Sequence, residues 1–131
     1  MNGIDDADEA TLTEEQRYEK AYRETRTALD ESSELLMLLQ GRATNLNVKG
    51  KIGDKILELE GQRTDLLQAN LEFHRGRAVM VPPSAELVKE IVANTKEVVE
   101  LTVDKATAAA VVQLSTKALK KFAEIQEIAS A

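Results

Sequence analysis

Cysteine and tryptophan are absent from this chain, and aromatic residues make up only 3% of its 131 positions. Without cysteine there are no disulfides, no thiolate metal ligands and no thiol nucleophile. With so few aromatic anchors the core has to be assembled from Leu, Ile, Val and Ala, which favours helix packing over a β-sandwich. Histidine occurs once, at His74, and proline only at Pro82 and Pro83. A single histidine excludes the paired Glu-x-x-His sets of di-iron bundles, and the HExxH and EF-hand patterns are missing as well. No metal and no cofactor is expected. The Gly- and Lys-containing stretches "GRATNLNVKGK" and "GKIGDK" match neither GxxxxGK[ST] nor GxGxxG, so they read as solvated connection and not as a phosphate loop.

Long hydrophobic runs are missing too. The most apolar window, "VVELTVDKATAAAVVQL", is interrupted by Glu100, Asp104 and Lys105, which rules it out as a bilayer span. The opening residues "MNGIDDADEA" have no basic region and no apolar run, so no secretory signal is expected and the chain reads as a soluble, cytoplasmic protein. Basic residues are scarce at the same end. Residues 1–40 hold 11 acidic and 4 basic side chains within a chain of net charge −6. That distribution disfavours nonspecific binding to DNA or anionic membrane and suits a basic protein partner.

What the chain does have is helical periodicity. At 131 residues it fits one domain, which buries roughly 65–70% of its unfolded surface without staples. Residues 1–12 are small and acidic and predict a disordered lead-in. Thr13 with Gln16 forms a capping box, and Glu14 and Glu15 fall in the first turn, where the helix dipole favours negative charge. Tyr18, Tyr22, Thr25, Leu29, Ser32, Leu36 and Leu39 then recur at heptad spacing, predicting a first helix over about 13–40.

The stretch 41–53 contains Gly41, Gly50 and Gly53, which together cost about 3 kcal/mol of helix propensity relative to alanine. A loop is the expected reading, with Asp54 capping the next helix. The alternative is one long helix, because the heptad register continues through Leu46, Gly50, Gly53, Leu57, Thr64, Leu67, Leu71 and His74. The second helix is expected over 54–78. Its stripes Ile52, Ile56, Leu59, Leu66, Phe73 and Leu57, Leu67, Leu71 suggest packing against two neighbours. The third is expected over 84–129, capped by Ser84, as a single curved helix or one broken near 102–107; Asn94 is a polar residue in its seam.

These elements predict an all-α fold, an antiparallel bundle of three or four helices with coiled-coil-like seams. An elongated helical hairpin is the alternative. His74, Arg75 and Arg77 close the second helix, where cations interact favourably with free carbonyls, so this corner reads as structural. Glu72 lies about 200° around the helix from His74 and cannot orient it for catalysis. No enzymatic pair nominates itself. The expected function is non-enzymatic protein–protein interaction as an adaptor, assembly subunit, chaperone or inhibitor. It would act through helix faces and an acidic N-terminal surface carrying Glu14, Glu15 and Glu19, with Arg75 and Arg77 as further contacts. The expected partner is a basic protein or a second copy of the chain. The alternative is a nucleic-acid-associated regulator using residues 75–77 with Lys117, Lys120 and Lys121, a weaker reading because base-stacking aromatics are lacking.

Overall fold

The structure, a computed structural model, describes residues 12–75 and 83–130, with side chains as far as Ile125. Among the described residues the chain forms four helices and no strand: α1 (Glu14–Arg42), α2 (Leu46–His74), α3 (Ala85–Glu100) and α4 (Ala108–Ser130). The all-α expectation holds. The expected acidic lead-in lies, as far as Thr11, outside the described residues, as does Arg77.

Helix α1 begins at the expected capping box, with Thr13 Oγ1 accepting from Gln16 N at 3.1 Å and Thr13 N donating to Gln16 Oε1 at 2.9 Å. Two boundaries differ from those that propensity predicts. The stretch 41–53 is mostly helix: α2 starts at Leu46, and only Ala43, Thr44 and Asn45 separate it from α1. The cap is Asn45, not Asp54, and its Oδ1 accepts from Asn47 N and Val48 N. The glycine cost is offset by tertiary structure. Burial of Ile52 contributes about 2 kcal/mol, and Gln40 Nε2 donates to Lys49 O at 3.0 Å, tying the first turns of α2 to α1. Nor is there one continuous helix through this region, because Ala43 adopts an extended conformation.

The second difference is the break between α3 and α4. With no glycine or proline to force a break, the sequence favours a single curved helix over 84–129, but Leu101 is extended at ψ 122° and ends α3. The turn behind it is closed by Ala106 N donating to Thr102 O at 2.9 Å, and Thr107 Oγ1 accepts from Ala110 N to start α4. Asp104 pairs with Arg42 at 2.7 Å across this end of the bundle. Two short helices can both pack along α1, whereas one long rod would overhang it.

Pairings between elements set the topology. Tyr18 reaches Asn70 and Ser33 reaches Glu60, so α1 and α2 are antiparallel. Thr95 donates to Glu24 O and Arg17 Nε donates to Pro83 O, so α3 runs parallel to α1. Asn94–Leu114 and Lys121–Glu90 make α4 antiparallel to α3. The order is up, down, up, down. Helix α1 is the hub and packs against all three others, whereas α2 and α4 barely touch.

The seam of α1 is buried as expected from Tyr18 to Leu36, with Leu39 partly buried against the core. Its weak positions, Thr25 and Ser32, are reconciled with the core by donating to Ala21 O and Ala28 O within their own helix. The sparse aromatics are concentrated at one end. Tyr18 stacks on Phe73 with ring centroids 4.2 Å apart, and Phe122 lies 6.0 Å from Tyr18 and 6.4 Å from Tyr22. All four aromatic side chains of the protein thus meet where α1 starts, α2 ends and α4 approaches its end.

Candidate interaction site

Glu14 and Glu15 are exposed in the first turn of α1, and Arg75 is exposed as the C-cap of α2. Because α1 and α2 are antiparallel, the acidic and basic candidates share one end of the molecule. Glu19 is engaged there: its Oε1 lies 2.8 Å from His74 Nε2, with the two side chains 34% and 45% exposed. The approach is a charge pair by distance, off the direction needed for a hydrogen bond, and it carries charge only when the imidazole is protonated. His74 also meets the Phe73 ring edge-on at 5.4 Å. Its own helix offers His74 no carboxylate, since Glu72 points away; the fold brings Glu19 near from α1, without a hydrogen bond that would orient the ring.

On the alternative basic patch, Lys117 and Lys120 are exposed, but Lys121 is drawn to Glu90 at 3.2 Å across α3 and α4. Among the described residues no group of three His, Cys, Asp or Glu side chains could hold a metal, and no helix is long and apolar enough to cross a membrane.

The strongest surface feature lies on α2. Only Ile52, Leu59 and Leu66 of its 29 residues are buried, because α2 leans mainly on α1. The expectation that both its stripes pack inside is overturned: Leu57 is 72% and Leu71 40% exposed, and Leu67 is the member that packs against the core. Leu46, at 84%, joins them. At about 100° per residue, Leu46, Leu57 and Leu71 fall within an arc of roughly 40°. Gly50 lies close beside that arc, and a Cβ added there would meet nothing. Met37, 52% exposed on α1, sits at the same level of the hairpin as Leu57, between the Ser33–Glu60 and Gln40–Lys49 pairings.

Of the heptad seam, Leu46, Gly50, Leu57, Thr64 and Leu71 are exposed, whereas Leu67 packs against the core and Gly53 faces Gln40 of α1. The seam's spacing is legible in the sequence. Its direction is not, because a heptad says which residues share a face and not what lies opposite that face.

No protein-family model, no curated protein and no solved structure matches the chain.

Proposed function

We propose that the chain is a non-enzymatic interaction protein whose principal docking element is the outward face of α2. The observation that carries this reading is the alignment of Leu46, Leu57 and Leu71, all exposed, along one helix face. Single exposed leucines are ordinary; these three lie about 16 and 21 Å apart along the axis but share one face, so an elongated partner laid along α2 would cover all of them. Gly50 beside the line lets a partner backbone approach closely, and heptad spacing suits a helix laid alongside. Exposed Glu14 and Glu15 speed encounter with a basic partner more than they add affinity.

The test is a photo-crosslinking amino acid placed at Leu57, and separately at Lys96 on the exposed side of α3, in extract from the native source. Discrete crosslinked species from position 57, absent from position 96 and lost when Leu46 and Leu71 are changed to Glu, support the reading. A species of twice the chain mass identifies a second copy as the partner. Equal or diffuse crosslinking from both positions would overturn it.

A further inference from the structure

We propose that the groove between α2 and α4 is a second docking site, and that its occupant is an amphipathic helix of a partner protein with its carboxylates clustered at one end. This surface is separate from the outward face of α2 and does not depend on it.

Helices α2 and α4 run parallel, both antiparallel to α1, and nearly fail to meet. The space left between them forms two clefts in line. The first, of about 410 Å³, is lined by Lys51, Ile52, Lys55, Ala108, Ala109 and Val112. The second, of about 270 Å³, is lined by Gln62, Asp65, Leu66, Leu119, Phe122 and Ala123. From Ile52 to Leu66 is about four helical turns, or about 21 Å. A partner helix of that length, seated over both clefts at a packing distance of about 8–10 Å, would set one apolar side chain into each.

Charge selects the occupant. The lining of the first cleft holds two cations and no carboxylate, and the N-terminus of α4, beginning at Ala108, adds a partial positive charge there. Lys55 has Glu58 at 3.6 Å, but both side chains are at least half exposed, so the pair is weak and easily exchanged. In the second cleft the only charge is Asp65. The groove is therefore positive at one end and negative at the other, with Ile52, Ala108 and Val112 in the first cleft and Leu66, Leu119 and Phe122 in the second as its apolar floor. A helix with Glu or Asp at one end, Lys or Arg at the other and an apolar stripe matches it in one orientation only; a uniformly basic helix does not.

The experiment is fluorescence anisotropy of the full chain with two labelled synthetic helical peptides, each of about 18 residues to span both clefts. Both carry the same leucine stripe. One has glutamates in its first half and lysines in its second; the other has lysines throughout. The expected result is roughly five- to tenfold tighter binding of the mixed-charge peptide. That order reverses in K51E/K55E, both positions being exposed. A109W, at an exposed cleft position, fills the first cleft and abolishes binding. K96E, on the exposed side of α3 and outside both surfaces, leaves it unchanged, and circular dichroism verifies the fold of each variant.

The proposal falls if neither peptide binds at about 1 mM, or if K51E/K55E leaves the order unchanged. It falls equally if L57E and not A109W removes binding, which would place the peptide on the outward face. Concentration-dependent dimerisation in sedimentation that A109W removes would assign the groove to a second copy of the chain and also overturn it.

Discussion

His74 at the end of α2 and Glu19 in the second turn of α1 stand 2.8 Å apart, Nε2 to Oε1. The pair joins the acidic start of one helix to the basic end of the next and seals the edge of the aromatic cluster. Its energetic weight is small, because both side chains are about a third exposed or more. A double-mutant cycle with Glu19→Ala and His74→Ala, read by urea unfolding at about pH 5.5 where imidazole is largely protonated in an unfolded chain, is expected to give a coupling of about 0.2–1 kcal/mol. A coupling well above about 2 kcal/mol would mean that the pair is desolvated.

Tyr18 next to it is far more committed. The residue is 1% exposed and its hydroxyl donates to Asn70 Oδ1 at 3.0 Å. Burial, and then the charges of Glu19 and Tyr22, push its phenol above the ordinary value of 10.0. A group that holds its proton more tightly folded than unfolded stabilises the fold below its unfolded pKa, and that contribution is lost as pH rises beyond it. Stability is therefore expected to fall steadily above about pH 10, and Tyr18→Phe should flatten that fall while costing roughly 1 kcal/mol at neutral pH for the lost hydrogen bond. Urea midpoints taken from about pH 8 to about pH 11 check both effects. An alkaline slope unchanged by Tyr18→Phe would exclude Tyr18 as its source.

Two glycines of α2 should respond differently to the same substitution. At Gly50 an added Cβ meets nothing, so Gly50→Ala is expected to stabilise by about 0.5–1 kcal/mol. At Gly53 the added Cβ comes 3.0 Å from Gln40 Nε2, the group that donates to Lys49 O. Gly53→Ala must displace that amide and should gain less, or lose. Equal gains at both sites in denaturant titration would show that the Gln40 contact contributes nothing.

Asn94 offers a test of the core. It is 1% exposed; its Nδ2 donates to Leu114 O at 3.2 Å, but its Oδ1 has no partner. A buried acceptor left unpaired costs about 1–3 kcal/mol, so Asn94→Leu is expected to raise stability by about 1 kcal/mol. The melting temperature and the denaturant midpoint should rise together. A loss of stability would mean that the single amide bond to Leu114 outweighs the orphaned carbonyl.

Much of the architecture is legible in the sequence because it is local. The Thr13–Gln16 box, the Ser84 cap and the heptad of α1 are patterns read within a few residues, and each stands in the fold where the chain places it. The two shifted boundaries share one cause. Propensity counts three glycines against a helix over 41–53, and it finds no breaker between residues 101 and 107. Both local preferences are overridden by packing between helices: Gln40, nine residues from Lys49, and the core around Ile52 in the first case, and the fit of two short helices along α1 in the second. Of the candidate site residues, Glu14, Glu15 and Arg75 are recognisable from sequence as exposed charges, but the pairing of Glu19 with His74 requires knowing that α1 and α2 are antiparallel neighbours.

The sequence alone determined that this protein is helical, where its first and third helices start, and which residues share each face, because capping and the 3.6-residue period are short-range physics. Only the tertiary structure decided that α1 is the hub, that α2 leans on it almost alone, and that the Leu46, Leu57, Leu71 face looks outward. A periodic stripe fixes a direction around its own axis. What that direction meets depends on how the other helices share the surface of α1, and α3 and α4 occupy the sides that α2 leaves free.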